Sequence, residues 1–151
     1  MEFVPISELF SMEKGVLQSS KCTPGEFPFI TAADEWKTHK DYSHDQEALL
    51  FAAAASGSLG RVHYVSGKFI SSDLCYILAP KDPKNRPLDL RLYQFIFQQY
   101  KEDIVRATKA GTSKESISQG ALGAYKLPYL PLQRQKEALK KLLQVSEKKT
   151  A

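Results

Sequence analysis

Hydrophobic residues recur with different periods along the chain, and their spacing predicts several helices and strands. Residues 27–30 (Phe-Pro-Phe-Ile) follow a Thr-Pro-Gly turn signal and predict a short buried strand. Between residue 88 and about residue 107, apolar side chains recur at helical spacing, which predicts a helix packed on a sheet and ended by Gly111. A last helix is predicted to begin near Pro131, because the first helical turn accepts proline. It carries an apolar seam, formed by Leu132, Leu139, Leu142 and Leu143.

Two further segments are less clear. Residues 45–55 contain alanine and glutamate, which favour a helix that Asp45 could cap, but their apolar residues form no clean helical stripe. Helix and strand therefore both remain open for this segment. Residues 121–132 are predicted to be extended, because residues that precede proline avoid the helical conformation.

Residues 61–79 give the strongest strand signal. Ser66-Gly67 suits a two-residue hairpin turn, which would pair Val65 with Lys68 and Tyr64 with Phe69. Because side chains alternate along a strand, three apolar residues would share the face that packs on the core, namely Val62, Tyr64 and Phe69. The opposite face would carry three basic side chains, namely Arg61, His63 and Lys68. The sequence thus predicts a hairpin with a cationic surface.

Composition narrows the class of protein only modestly. A length of 151 residues with 42% hydrophobic and 25% charged residues fits a single globular domain. The net charge of +4 is compatible with a nucleic-acid partner without requiring one. Cys22 and Cys75 lack CxxC spacing and predict reduced thiols rather than a disulfide or a zinc set. Since the apolar runs are also too short to cross a bilayer, we expect a cytoplasmic protein without a membrane partner.

Motifs for catalysis or cofactor binding are weak. Gly67-Lys68 lacks the other residues of a phosphate-binding P-loop, and the GxxG spacing of residues 57–60 is followed by a predicted strand, unlike an RNA-binding KH loop. Glu35-Trp36-Lys37 is similar to half of a metal-dependent nuclease core, but the required second acid has no clear candidate. Potential metal ligands without helical framing occur in one polar segment, namely His39, Asp41, His44 and Asp45. We therefore predict no enzyme activity, no metal and no cofactor.

Four short motifs follow one another along the chain. They are Gly57-Ser58-Leu59-Gly60, Gly67-Lys68-Phe69 with Ser72-Asp73, Gly111-Thr112 with Ile117-Ser118, and Leu127-Pro128-Tyr129-Leu130-Pro131-Leu132 with Gln135. In this order the series resembles the target recognition domain of type I restriction–modification specificity subunits, and the related domains of fused restriction–methylation enzymes. The chain departs from that family in length, since a full specificity subunit has two recognition domains joined by long helices.

The resemblance implies an α/β (α+β) fold with twisted, mostly antiparallel sheets, packed helices and a C-terminal helix. It favours a strand for residues 45–55. It divides the chain into a DNA target recognition domain, residues 1–130, and the start of a spacer helix that binds partners, residues 131–151. The implied function is sequence-specific recognition of double-stranded DNA, without catalysis, for a partner adenine methyltransferase and endonuclease.

The candidate DNA contacts combine this implied function with the predicted hairpin. They are Arg61, His63 and Lys68 on the hairpin, Ser56 and Ser58 in the adjoining turn, and Lys14 and Lys37 in loops. For the terminal helix, the resemblance implies contacts with the methyltransferase subunit, a restriction subunit, and a second recognition domain or a second copy of this chain. The residues expected to make these contacts are Leu132, Gln135, Leu139 and Leu142.

Two other functions remain open at this point. An RNA-binding module would expose several aromatic residues on a sheet, where bases can stack. A protein-interaction module would carry its basic residues only as solvated surface charges. The first turn of the terminal helix could equally pack on its own domain.

Overall fold

A six-stranded sheet forms the centre of the molecule. The computed structural model describes residues 1–54 and 57–150, and only the backbone of the last three. The strands are β2 (Phe10–Lys14), β3 (Phe27–Ile30), β4 (Lys37–His39), β5 (His44–Ala52), β6 (Val62–Ser71) and β7 (Cys75–Pro80). Their order is β2-β7-β5-β6-β3-β4, and all neighbours are antiparallel except β3 and β6.

Helices and two small strand pairs surround this sheet. The helices are α1 (Ile6–Leu9), α2 (Leu90–Thr108), α3 (Gln119–Ala124) and α4 (Leu132–Thr150), with a 3-10 turn at Ser19–Lys21. The small pairs join β1 (Glu2–Pro5) to β10 (Lys126–Tyr129) and β8 (Lys109–Ala110) to β9 (Ser116–Ile117). Asp89 begins α2 as its N-cap, because its carboxylate accepts hydrogen bonds from the Arg91 and Leu92 amides.

Both faces of the β5–β6 pair are apolar, which explains why residues 45–55 show no simple alternation. One face packs against α2 in the larger core, which includes Leu49, Phe51, Val62, Tyr93 and Phe97. The other face belongs to a smaller core, formed by Ile30, Ala48, Leu50, Val65, Phe69 and Ile77. Strand alternation assigns neighbouring residues to opposite faces, so a strand buried on both faces reads as a continuous apolar run.

The predicted hairpin at Ser66-Gly67 is wrong. Residues 62–71 form one continuous strand, which pairs with β5 from Val62 opposite Phe51 to Phe69 opposite His44. The chain reverses earlier, around Gly57 and Gly60, and this turn joins β5 to β6. Gly67 has a positive φ inside β6, which is a local irregularity of the strand backbone and not a chain reversal.

The shared cationic face is therefore also wrong. In a continuous strand Arg61 and His63 lie on one side, whereas Lys68 is an odd number of residues away and lies on the other. Phe69 likewise packs in the smaller core with Val65, whereas Val62 belongs to the larger core, which Tyr64 also contacts. The local turn signal gave the wrong pairing partner, and every face assignment that depended on it changed.

Most of the other helices and strands predicted from the sequence are present in the structure. The strand at residues 27–30 and the final helix are confirmed, and the strand chosen for residues 45–55 is confirmed over residues 45–52, while residue 55 lies outside the described residues. The helix after residue 88 is also confirmed, but it ends at Thr108 and is followed by β8, so Gly111 does not end it. The extended segment is correct only for β10, because residues 119–124 form α3, whose N-cap Ser118 accepts a hydrogen bond from the Ala121 amide. The α+β fold with mainly antiparallel sheets and a C-terminal helix is confirmed. No helix in the described ranges has the length and apolarity to cross a bilayer.

Candidate nucleic-acid interface

A glycine turn places the start of β6 against α2. The Gly60 amide donates to the Ala52 carbonyl at 2.9 Å, and the Ala52 amide donates to the Arg61 carbonyl at 2.9 Å, which closes the reversal. Gly60 has a φ of +83°, and a Cβ atom there would lie 2.8 Å from a Val105 methyl group of α2. Only glycine satisfies both the backbone angle and the close approach, so this residue fixes the spacing between the turn and the helix.

A groove opens where β6 extends beyond its neighbour β3. Since β3 pairs only with Ile70 and Ser71, the first residues of β6 have no strand on that side within the described ranges. The Gln94 side chain of α2 instead donates to the Val62 carbonyl at 3.2 Å. The resulting groove has a volume of about 240 Å³ and is called the Arg61 groove here. It is lined by Asp34, Gly60, Arg61, Val62, His63, Gln94, Gln98 and Lys101.

The loop formed by residues 31–36 holds the side chains of Arg61, just before β6, and of His63 in β6. Arg61 Nη1 lies 2.8 Å from the Asp34 carboxylate, and His63 Nε2 lies 2.7 Å from the Ala33 carbonyl oxygen. Because a carbonyl can only accept, Nε2 must carry the hydrogen. The Trp36 ring meets the His63 ring edge-on, with centroids 5.6 Å apart. These contacts fix the orientation of both side chains.

Burial lowers the pKa of His63 below its ordinary value, and the nearby Arg61 charge acts in the same direction. The hydrogen bond to Ala33 and the Asp34 charge oppose this shift without cancelling it. The imidazole is therefore neutral at pH 7. The groove's positive charge comes from Arg61 and Lys101, and Asp34 contributes a negative one.

A second hollow continues the Arg61 groove along α2. It has a volume of about 450 Å³, shares Lys101 with the groove, and is lined by Gly57, Leu59, Lys101, Glu102, Val105, Arg106, Lys109 and Glu115. Two of its basic residues have acidic partners, since Arg106 pairs with Asp103 and Lys109 pairs with Glu115. Lys101 makes no ion pair with any residue in the described ranges. It is thus the ammonium group of this surface most available to an anion.

The predicted DNA contacts do not form one cluster. Arg61 and His63 line the groove, and Ser58 lies in the adjoining turn, where its carbonyl accepts from the Arg61 amide at 3.1 Å. Ser56 lies outside the described residues. Three lysines line neither hollow, namely Lys14 at the end of β2, Lys37 at the start of β4, and Lys68, whose ammonium lies 5.1 Å from the Tyr42 ring centre.

Two of the four residues predicted to contact a partner are instead buried against this domain. Gln135 is 0% exposed, and its amide bonds to the backbone of Pro87, Asp89 and Leu130. Leu139 is also buried. Both residues lie on the side of α4 that packs on the rest of the domain, so neither is accessible to a partner. Leu132 and Leu142 remain exposed, each at 38%.

Sequence reasoning missed the residues that α2 contributes. Gln94, Gln98 and Lys101 recur at intervals of four and three residues, which places them on one face of the helix. That polar stripe is visible in the sequence, but only the packing of α2 beside β6 shows that it faces Arg61. No sequence pattern singled out Asp34 as a site residue. Across residues 1–54 and 57–150, no cluster of three His, Cys, Asp or Glu side chains could hold a metal ion.

Guanidinium, ammonium and amide donors along one groove of an α+β domain are the donor set of a nucleic-acid-binding module. The chain belongs to the type I restriction modification DNA specificity domain family, whose model matches residues 1–151. This family supplies the specificity component of type I restriction–modification systems and is non-catalytic. No curated protein matches the sequence significantly.

Solved structures share this fold at low sequence identity. The type I restriction–modification S subunit from M. genitalium matches with a TM-score of 0.79 and 20% identity. A chain described in a study of complex assembly and conformational transition of the type I R-M system matches with a TM-score of 0.72 and 14% identity. The HsdS subunit from Thermoanaerobacter tengcongensis matches with a TM-score of 0.69 and 14% identity. The matches cover 97% of this chain but only 37–39% of each of those chains.

Proposed function

We propose that this chain recognises a short sequence of duplex DNA through the Arg61 groove and the adjoining Gly57–Gly60 turn. The observation that carries this proposal is the juxtaposition of Arg61, Lys101 and Gln98 on one concave surface. Lysine and arginine neutralise phosphates. Arginine can also donate two hydrogen bonds to a guanine edge, and glutamine can donate one to adenine while accepting another from it. The two classes of contact that a sequence-reading protein needs are therefore available side by side.

The remaining predicted DNA contacts fall into two groups, those beside the Arg61 groove and those outside it. Ser58 adjoins the groove and is retained as a contact, as is His63, whose neutral ring can exchange hydrogen bonds but adds no charge at pH 7. Lys14, Lys37 and Lys68 are proposed as phosphate contacts outside the groove, which requires the DNA to extend past the edges of the sheet. Such contacts would position the duplex without reading its sequence.

Residues 1–130 are proposed to form the recognition domain and residues 131–151 the first part of a partner-binding helix. The support is an apolar strip on α4 that remains exposed, including Leu142 at 38% and Val145 at 50%. Its proposed partners are the methyltransferase subunit, a restriction subunit, and a second recognition domain or a second copy of this chain. The related S subunits and the type I complex named above support this assignment.

Selection from a pool of random-sequence duplexes tests the recognition proposal. We expect a short motif to be enriched, and we expect affinity for that motif to fall at least about tenfold between about 50 and 200 mM salt, because counterions are released from several phosphates. Failure to bind any duplex in low salt would contradict the proposal. Preferential binding of single-stranded RNA in the same assay would favour the RNA-binding alternative.

The arrangement of the aromatic residues argues against that alternative. Base stacking on a sheet requires exposed rings on its face. In the described ranges, Phe51 and Phe69 on the central strands are fully buried. Of the exposed aromatic residues, Trp36 and Tyr42 lie outside the strands, and Phe3 lies on β1, outside the six-stranded sheet. The sheet itself therefore offers no stacking platform of the usual kind.

A further inference from the structure

The Arg61 guanidinium keeps hydrogen-bond donors that no described residue uses. Its Nε atom is buried and makes no hydrogen bond within the described ranges, and Nη1 is bonded to Asp34 at 2.8 Å. The Arg61 side chain is 29% exposed, whereas the Asp34 side chain is 86% exposed. Within the described ranges Nη1 bonds only to Asp34 and Nη2 has no hydrogen bond, so donors on both Nη atoms remain for a ligand, and an exposed carboxylate lies beside them.

This combination disfavours a phosphate as the ligand of Arg61. A phosphate on the same guanidinium would lie within roughly 4–6 Å of the Asp34 carboxylate, a distance at which like charges repel. Lys101 lies in the same groove and pairs with no acidic residue that the structure describes, so a phosphate has a better partner nearby. Arg61 is thus suited to a neutral group that presents acceptors.

A G·C base pair presents groups complementary to both side chains. In the major groove, guanine offers the acceptors O6 and N7 side by side, and its cytosine partner offers an N4 amino donor. Arginine donates in pairs to the first, and a carboxylate accepts from the second. An A·T pair offers no such combination, since adenine presents one acceptor next to one donor.

We propose that Arg61 and Asp34 together read one G·C base pair, with the Arg61 Nη donors on guanine and the Asp34 carboxylate on the cytosine amino group. This inference rests on the proposed function. The loop that carries Asp34 is held by the Ala33 carbonyl on His63 and by Trp36 against the same ring, so the pair is oriented before DNA binds. Such preorganisation favours discrimination between bases.

Sequencing of the duplexes selected by the whole chain and its variants tests this inference. Arg61→Gln should abolish the preference for G·C at one motif position, a preference worth about 5- to 100-fold in the unsubstituted chain. Asp34→Asn should weaken that same preference and should increase affinity for unrelated duplexes, because it removes a negative charge from the groove. Arg86→Gln is the matched control, since Arg86 is 32% exposed, pairs with Glu2 and does not line the groove.

The outcomes separate this inference from the function on which it rests. An unchanged motif with Arg61→Gln, in protein shown to be folded by its thermal transition, would overturn the inference alone. A uniform loss of affinity on all sequences, with a salt slope reduced by about one, would also overturn it, because that result identifies a phosphate contact. If the unsubstituted chain enriches no motif, the proposed function itself fails.

Discussion

His63 couples the ionisation of one side chain to the stability of the fold. Burial lowers its pKa in the folded state, so the unfolded chain binds a proton more readily between that lowered value and the ordinary one near 6.5. A histidine that binds its proton better when unfolded destabilises the fold as the pH falls. The stabilising contribution of neutral His63 is thus complete above pH 7 and declines on acidification.

His63→Gln tests this coupling. We expect the stability advantage of the unsubstituted chain over the variant to shrink between pH 7 and pH 5, because glutamine does not titrate. Urea denaturation at several pH values measures the free energy of unfolding of both proteins. Parallel pH profiles would contradict the assignment.

The two cysteines are expected to differ in reactivity. Burial raises the pKa of Cys75 to about 12, so its thiol remains protonated at pH 8 and is sterically shielded as well. Cys22 is partly exposed, and its Sγ donates to the Thr38 carbonyl at 2.9 Å. A thiol reagent should modify Cys22 in the native protein and should reach Cys75 only after unfolding. Cys22→Ser provides the control, because no rapid labelling should remain in it.

At the scale of elements, the glycine turn sets the distance between β6 and α2. Gly60→Ala introduces both a strained backbone angle and a contact of 2.8 Å with Val105, whereas Gly57→Ala introduces only the strained angle, since its Cβ would meet nothing within 4 Å. We expect Gly57→Ala to cost about 1–2 kcal/mol of unfolding free energy and Gly60→Ala to cost more. Equal losses would show that the helix adjusts freely to the turn.

The junction between Leu130 and α4 depends on a single buried amide. Gln135 satisfies the Asp89 amide at 2.7 Å and the Pro87 and Leu130 carbonyls at 2.9 and 2.8 Å. Gln135→Ala leaves these groups unpaired in the interior and should cost about 2–3 kcal/mol in thermal or urea unfolding. The exposed neighbour Gln133, changed to alanine, should cost less than about 0.5 kcal/mol. A similar small loss at both positions would exclude a structural role for Gln135.

Local sequence patterns correctly predicted the elements whose formation depends mainly on the residues within them. The periodicity after residue 88 predicted α2, and proline placement predicted the start of α4. The turn at Gly57–Gly60 was expected, but a second reversal was wrongly placed at Ser66-Gly67, because both are acceptable turn sequences. Choosing between them requires the pairing energy of β5 with β6 along its whole length, which no local pattern contains.

At the scale of the whole molecule, the DNA-binding and partner-binding roles are assigned to different elements. Leu142→Glu and Val145→Glu should therefore reduce complex formation with a methyltransferase subunit at least about tenfold, because each places a charge in an apolar interface. Duplex binding by the isolated chain should remain unchanged. Leu74→Glu, at a leucine with 37% exposure outside α4, is the matched control. Equal loss with this control would contradict an interface on α4.

The candidate site shows where inference from sequence ends. Motif order was enough to indicate the family, and Arg61 and His63 were selected, together with Lys68, from the predicted hairpin at Ser66-Gly67. Gln94, Gln98, Lys101 and Asp34 join them only through packing of α2 and of the loop at residues 31–36 beside β6. Lys68 was included because of an incorrect strand register. Site residues that meet through tertiary packing leave no joint pattern in one sequence.

The affinity of groove variants for a selected duplex tests the central claim that the Arg61 groove binds DNA. Lys101→Gln should lower affinity about tenfold in low salt and reduce the salt slope by about one, because it removes one phosphate contact. Lys84→Gln removes the same charge from an exposed lysine outside the groove and should change affinity by less than about twofold. Equal effects of the two substitutions, or an unaffected Lys101→Gln variant, would contradict the account.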